Sequence, residues 1–379
     1  MSVPPCLHSR PYVFDPRPNF PFFLTANRYW VGSDIDEDAN ALTLVFAHAI
    51  GFHKEHWEPT IADLFNHFQT QAQEHDGHRK VKIREMWSID APNHGDAAIL
   101  NEKTLRWGYE QAFFWEDYGR GIHAFLTGLG TGVDVDFTKH NLVGIGHSMG
   151  TISIMLSTTY QPPLTYSSIH LIEPLILGQQ WSAFGKLIQE AAMNRRDIWP
   201  SIEDAYRVMK GRPSWKNWDE RILRIYVTHG LRPLPILEYP NSLDGVTLKC
   251  VKQQESATFS DYKSRVLAYN LLPHLAKCIP IHFVYGAIDD YASAEAKYDV
   301  LHNGSGGIEN LARVVRIPGA GHLASFFIQN FGDALTELSV WIKQVLQTHP
   351  TAVAEVIWEG LKSEFHADRS GARSQTAKL

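Results

Sequence analysis

The sequence predicts an α/β fold: a mostly parallel central sheet flanked by helices, with a helical lid inserted between two sheet strands. Three observations carry this. Short apolar runs alternate with segments of helical spacing, the rhythm of a parallel sheet with crossover helices. The runs are continuously apolar, as in Leu42-Thr43-Leu44-Val45-Phe46-Ala47, which suits strands covered on both faces. The rhythm lapses between about residues 177 and 275, where a helical stretch carries Trp181, Trp199, Trp215 and Trp218.

Taken in order, residues 1–25 are proline-rich and read as an arm wrapping the surface. Residues 42–47 form the first strand, and Trp57–Phe68 reads as a helix. Val81–Ile89 is a second strand. Trp107–Leu129 has helical spacing, with Phe113, Phe114, Ile122 and Phe125 to one side. Leu142–Ile145 is a third strand, leading into a helix over Ser148–Thr158. Further strands fall at 169–172, 281–285 and 312–317, and an amphipathic helix at Ser325–Val345 closes the core. The expected organisation is an arm (1–25), a core (26–176 and 276–348), a lid (177–275), and a C-terminal helix and tail (349–379).

The 379 residues are 44% hydrophobic and 20% charged, which suits a globular enzyme. With a net charge of −6 and no long basic block, nucleic acid is not an expected partner. No run is long enough for a transmembrane segment. Cys6, Cys250 and Cys278 are too sparse and scattered for a disulfide framework or a metal site, and fit a reduced compartment. No metal or cofactor is expected.

The chemistry is concentrated in Gly146-His147-Ser148-Met149-Gly150, between a strand and an apolar helix. Such a turn holds a serine hydroxyl up and exposed, and the flanking glycines let helix and strand approach closely. Functional groups of a parallel sheet gather beyond the C-terminal strand ends, so the other loops can be read off. After the first strand comes His48-Ala49-Ile50-Gly51-Phe52, where the Ile50 N–H, with that of Met149, is placed to stabilise an oxyanion. After the last strand comes Ile317-Pro318-Gly319-Ala320-Gly321-His322, and His322 is the candidate proton shuttle. The acid has two candidates. Glu173, braced by Pro174 at a strand end, is costly to bury without a partner and is favoured on that ground. Asp289 is the alternative, although Asp289 and Asp290 also suit a helix cap. Asp90-Ala91-Pro92-Asn93-His94-Gly95-Asp96 reads as a loop fixing local architecture. Phe52, His94, Trp181 and Trp199 are the candidate substrate contacts.

These motifs, with Leu171-Ile172-Glu173-Pro174 and the terminal Ala377-Lys378-Leu379, resemble those of fungal peroxisomal α/β-hydrolases from about residue 40 onward. That group spans peroxisomal lipases, the acyl-CoA hydrolase of mycophenolic acid and toxin-biosynthesis hydrolases. The resemblance implies an α/β-hydrolase fold and a Ser148–Glu173–His322 triad. It implies a thioesterase or esterase acting on a lipid-like or secondary-metabolite acid, with a cyclase as an alternative. A non-catalytic binding role is disfavoured by the intact serine and histidine. The tail is similar to the Ser-Lys-Leu signal read by the peroxisomal import receptor, which makes the peroxisome the expected location. Lid cations Arg195, Arg196, Arg207, Lys210 and Arg212 offer a surface for CoA phosphates, unless Asp197, Glu203 and Asp204 balance them as a solvated face. Two positions depart from the pattern: Ala49, where His-Gly is usual, and Thr151, where a further glycine often follows.

Overall fold

The computed structural model describes residues 7–32, 38–73, 80–110, 112–178, 185–289, 292–321 and 345–365. Its main sheet has eight strands: β1 Leu7–Phe14, β2 Leu24–Val31, β3 Leu42–Ala47, β4 Ile83–Ile89, β5 Asn141–His147, β6 Ser168–Ile172, β10 Ile281–Gly286 and β11 Arg313–Ile317. Strands β7 Ile198–Trp199, β8 Leu231–Pro233 and β9 Val246–Leu248 form a separate small sheet. The order is β1-β2-β4-β3-β5-β6-β10-β11; β1 and β2 run antiparallel and the other six are mutually parallel. The central strands β3, β6 and β10 are buried at every residue, which explains their unbroken apolar runs.

Helices cover both faces. Trp115–Leu126, Met149–Ser157 and Lys263–Cys278 pack one face through Tyr118, Ile122, Ile152, Met155, Ala268 and Leu272. Glu58–Gln73 and Pro350–Phe365 pack the other through Ile61, Leu64, Phe65, Val353, Ile357 and Trp358. Sandwiching the sheet in this way leaves the C-terminal ends of the parallel strands as the open rim on which a site can be built.

The structure corrects several expectations. The N-terminal arm is not a surface wrap: residues 7–14 are the edge strand of the sheet, paired with β2, which the sequence reading missed. Pro11 is tolerated because an edge strand has one side free of ladder bonds. The helix expected over 107–129 is two helices, Glu102–Gly108 and Trp115–Leu126. Helix Lys263–Cys278, assigned to the lid, packs in the main core. The inserted region is otherwise largely helical, with Gly185–Asn194, Ile202–Lys210, Pro213–Lys216, Glu220–Gly230 and Lys252–Phe259, but it also carries the small sheet. The expected closing helix lies outside the described residues except at Val345, which starts the short helix Val345–Thr348.

The lid has its own apolar centre of Trp199, Ala205, Met209, Trp218, Ile222, Leu223, Tyr226 and Val227. Ala49 and Phe52, from the turn after β3, belong to the same cluster. The lid is therefore packed onto the loop from which an oxyanion donor was expected. No helix among the described residues is long and apolar enough to cross a membrane, and no group of three metal-ligating side chains occurs among them.

Candidate active site

Ser148 sits between β5 and the helix Met149–Ser157 with φ 52° and ψ −114°. A non-glycine residue rarely adopts a positive φ, and the strain costs about 1–3 kcal/mol. The surroundings hold it there. The Ser148 N–H donates to the Ile172 carbonyl at 2.9 Å, and the Thr151 hydroxyl donates to the Ser148 carbonyl at 2.5 Å. Thr151 therefore ties the first helical turn to the serine's own carbonyl, a bond that a glycine there could not make. Gly150 is required by close approach: a side-chain carbon there would stand 2.2 Å from the Ala47 carbonyl oxygen. Gly150→Ala should therefore cost about 3 kcal/mol of stability, read as a lower urea midpoint; an unchanged midpoint would mean that helix and strand separate without penalty.

Met149 is the first residue of that helix, so its N–H belongs to the free donors of a helix N-terminus. Ile50 lies in the turn after β3, and this turn is fastened from several sides. The Tyr118 hydroxyl receives the His48 N–H at 3.2 Å and donates to the Ile89 carbonyl at 2.7 Å. The His48 Nε2 accepts the Ala91 N–H at 2.9 Å, while Nδ1 reaches the Ala49 carbonyl at 2.8 Å. Burial lowers the His48 pKa, which keeps the ring neutral and able to accept that bond.

Below the turn lies a buried ion cluster. Lys54 Nζ meets Asp96 at 2.7 Å, Glu55 at 2.8 Å and Asp90 at 2.9 Å. Asp90 also accepts the Lys54 N–H at 2.8 Å and the Thr25 hydroxyl at 2.7 Å. Burial alone would lower the Lys54 pKa, but the three carboxylates outweigh it and hold the ammonium above its usual range. The Asp90–Asp96 loop thus fixes local architecture, as expected.

The two acid candidates have different surroundings. Glu173, 1% exposed, follows β6 with φ 49°. Its N–H donates to the Val284 carbonyl at 2.7 Å, and its carboxylate accepts the Gly286 N–H. Gly286 is itself pressed against the last loop, since a side-chain carbon there would lie 2.4 Å from the Ala320 carbonyl oxygen. Gly321, next along, accepts the Val345 N–H at 2.9 Å. Asp289 is held instead by Lys297 at 2.9 Å and by Arg316. His322 lies outside the described residues; the chain leading to it runs past the residue that holds Glu173.

Three of the four candidate substrate contacts are described, and each is packed or bonded within the chain. Phe52 packs on His56, Trp218 and Tyr226 with ring centroids 4.6, 5.7 and 6.1 Å away. Trp199 is buried in the same lid cluster. His94 is fully buried, and both its ring nitrogens bond to protein. Trp181 lies outside the described residues. Four of the five lid cations also have partners within the chain. Arg195 pairs with buried Glu255 at 2.6 Å, Arg207 with Asp204 at 3.1 Å and Lys210 with Glu220 at 2.5 Å, and Arg196 donates to the Ile198 carbonyl at 2.9 Å.

Residues 44–335 match a family model described as the alpha/beta hydrolase family. The chain is 29% identical over 206 residues to "Type I acyl-CoA thioesterase mpaH" of Penicillium brevicompactum, covering 53% of this chain and 42% of that protein. It is 30% identical over 149 residues to "Peroxisomal membrane protein LPX1" of Saccharomyces cerevisiae, covering 39% of this chain and 34% of that protein. The alignments span less than half the length of the curated relatives matched. Among solved structures, the peroxisomal alpha-beta-hydrolase Lpx1 of Saccharomyces cerevisiae superposes with a TM-score of 0.65 at 18% identity, over 98% of this chain and 93% of that one. A thioesterase domain from the curacin biosynthetic pathway gives 0.56 at 13% identity, over 93% and 99%. At these identities the superpositions show the fold.

Proposed function

Because the chain belongs to the alpha/beta hydrolase family, we propose that it is a serine hydrolase cleaving an acyl-CoA-type thioester through an acyl-enzyme on Ser148. The observation that carries this reading is the serine's position, raised on a positive-φ turn at a helix N-terminus. In the proposed reaction, His322 takes the Ser148 proton as the oxygen attacks the acyl carbonyl. The N–H groups of Ile50 and Met149 receive the developing oxyanion, and Glu173 steadies the imidazolium. The C–S bond breaks, and the thiolate leaves with the proton from His322. A water activated by the same ring then releases the acid and restores the serine. A thiolate is a good leaving group, so this step asks little of the acid catalyst. The Penicillium relative is named an acyl-CoA thioesterase, which supports the thioester, and its similarity to this chain supports the transfer. The yeast relative is named a peroxisomal protein, which supports a peroxisomal location, together with the C-terminal Ala377-Lys378-Leu379, which lies outside the described residues and would engage the import receptor.

A fluorophosphonate probe is expected to label Ser148, and a panel of acyl-CoAs is expected to release free thiol faster than p-nitrophenyl esters of matched chain length release phenol. Labelling with hydrolysis of the esters alone would make the protein a carboxylester hydrolase. Absence of labelling would remove the serine mechanism.

A further inference from the structure

We infer that Asn93 and His94 are positioning residues that hold the oxyanion turn and tie it to the lid helix Lys252–Phe259. The inference rests on the oxyanion assignment proposed above.

The polarity of the connection follows from donors and acceptors alone. The Thr258 hydroxyl donates to the Gln254 carbonyl at 2.7 Å, so its oxygen accepts from Asn93 Nδ2 at 2.8 Å. That orients the Asn93 amide with Oδ1 toward His94 Nδ1, 2.7 Å away. A carboxamide oxygen only accepts, so Nδ1 carries the proton. Nε2 is then a lone pair, and it accepts the Gly51 N–H at 2.9 Å. The relay runs from the lid through Asn93 and His94 to the residue after Ile50, and every member has one role.

The same helix meets the turn a second time. The buried Glu255 carboxylate lies 2.8 Å from where a Gly51 side chain would begin, and Gly51 has φ +78°. A misplaced lid helix would therefore move the turn, and a turn without its His94 acceptor would lose the fixed direction of the Ile50–Gly51 peptide, which adjoins the Ala49–Ile50 peptide carrying the Ile50 donor. Donors that are preorganised act only if they do not have to be reoriented during the reaction.

The groups facing the His94 ring are His48, with its ring centroid 5.3 Å away, His53 and Arg195. Burial, then these neighbours, keep His94 neutral. An imidazolium would present Nε2–H to the Gly51 N–H and break the contact.

The test uses the full chain and a p-nitrophenyl ester or acyl-CoA that it turns over. His94→Leu removes the acceptor and should lower kcat about 10²-fold, with KM within about threefold. His94→Gln offers a carbonyl oxygen to Gly51 and should recover about tenfold or more of that loss. Asn93→Asp is isosteric, favours the imidazolium, and should move the acid limb of the kcat profile upward. A role confined to stability would give none of this pattern. If His94→Leu does not fold, the other two variants decide. The inference is overturned by a His94→Leu kcat within about threefold of wild type. It is equally overturned by a Gln variant no better than Leu, or by an unmoved acid limb in Asn93→Asp. A wild-type chain that neither labels nor turns over would remove the serine-hydrolase reading and this inference with it. Turnover in the wild type with unimpaired variants removes only this inference.

Discussion

Glu173→Gln is expected to lower kcat about 10³–10⁴-fold with KM nearly unchanged, while Asp289→Asn lowers it less than about tenfold. The substitution is a narrow one. The Gln oxygen can still accept the Gly286 N–H, so the contact between β6 and β10 survives. What is lost is the negative charge that the proposed triad assigns to orienting the His322 ring and stabilising it once protonated. Two features favour Glu173 for that task. It is held in a strained backbone at a strand end, and burial of a carboxylate there is costly unless a cation forms beside it. Its Gly286 partner also touches the loop that leads into position 322. Asp289 spends its charge on Lys297 and Arg316. Lys297 is buried, so Asp289→Asn should register in the unfolding midpoint rather than in turnover. Steady-state kinetics and urea unfolding of the two variants check both halves. The reverse ranking of kcat would move the acid to Asp289.

How much of this the sequence reveals depends on the length scale of each signal. β3, β5, β6 and β10 are legible because burial on both faces leaves an unbroken apolar run. The serine turn is legible because Gly146, Ser148 and Gly150 are adjacent and each is required by the same crossing of helix and strand. β1 and β2 are not, since Pro4, Pro5, Pro11, Pro16 and Pro18 outweigh the strand pattern of an edge hairpin. The division of the 107–129 segment was signalled by Gly108, which ends the first helix, but the aromatic spacing concealed it. Strands of two or three residues in the lid carry too little periodicity to be seen. Phe52 and Trp199 were drawn into the candidate site by residue type alone, and only packing assigns them to the lid's own centre. The position of His94 was invisible for a related reason: its ring bonds Gly51, and its neighbour Asn93 bonds Thr258, and hydrogen bonds to residues so far apart in the chain leave no local pattern.

Stability should begin to fall as pH drops below about 6.5, above the range in which ordinary carboxylates protonate. Burial, the first cause in each case, lowers the pKa of His48, His53, His56, His94 and His170, and takes His282 down to about 4. In the unfolded chain each titrates near 6.5. Below that value the unfolded state takes up protons that the folded state refuses, so stability is full above pH 6.5 and falls as pH drops toward the folded values. For His282 alone, the interval from 6.5 to about 4 amounts to about 3 kcal/mol. Glu58, pushed up to about 7 by burial and then Glu55, Asp117, pushed up to about 6 by burial and then Glu116, and Glu255, raised by burial, act in the opposite sense. Three groups do not offset six. His170 and His282 give the cleanest handle. They stack 4.3 Å apart with planes 3° from parallel, on paired positions of β6 and β10, and Gly360 of the C-terminal helix closes over them. Two imidazolium rings cannot occupy that space together without repulsion. His282→Phe keeps the stack and removes one titration, so it should lower the slope of unfolding free energy against pH by up to about 1.4 kcal/mol per pH unit. Urea titrations at pH 7.5, 6.5 and 5.5 measure that slope. A profile flat down to pH 5.5 would mean that the rings gain their protons without leaving the fold.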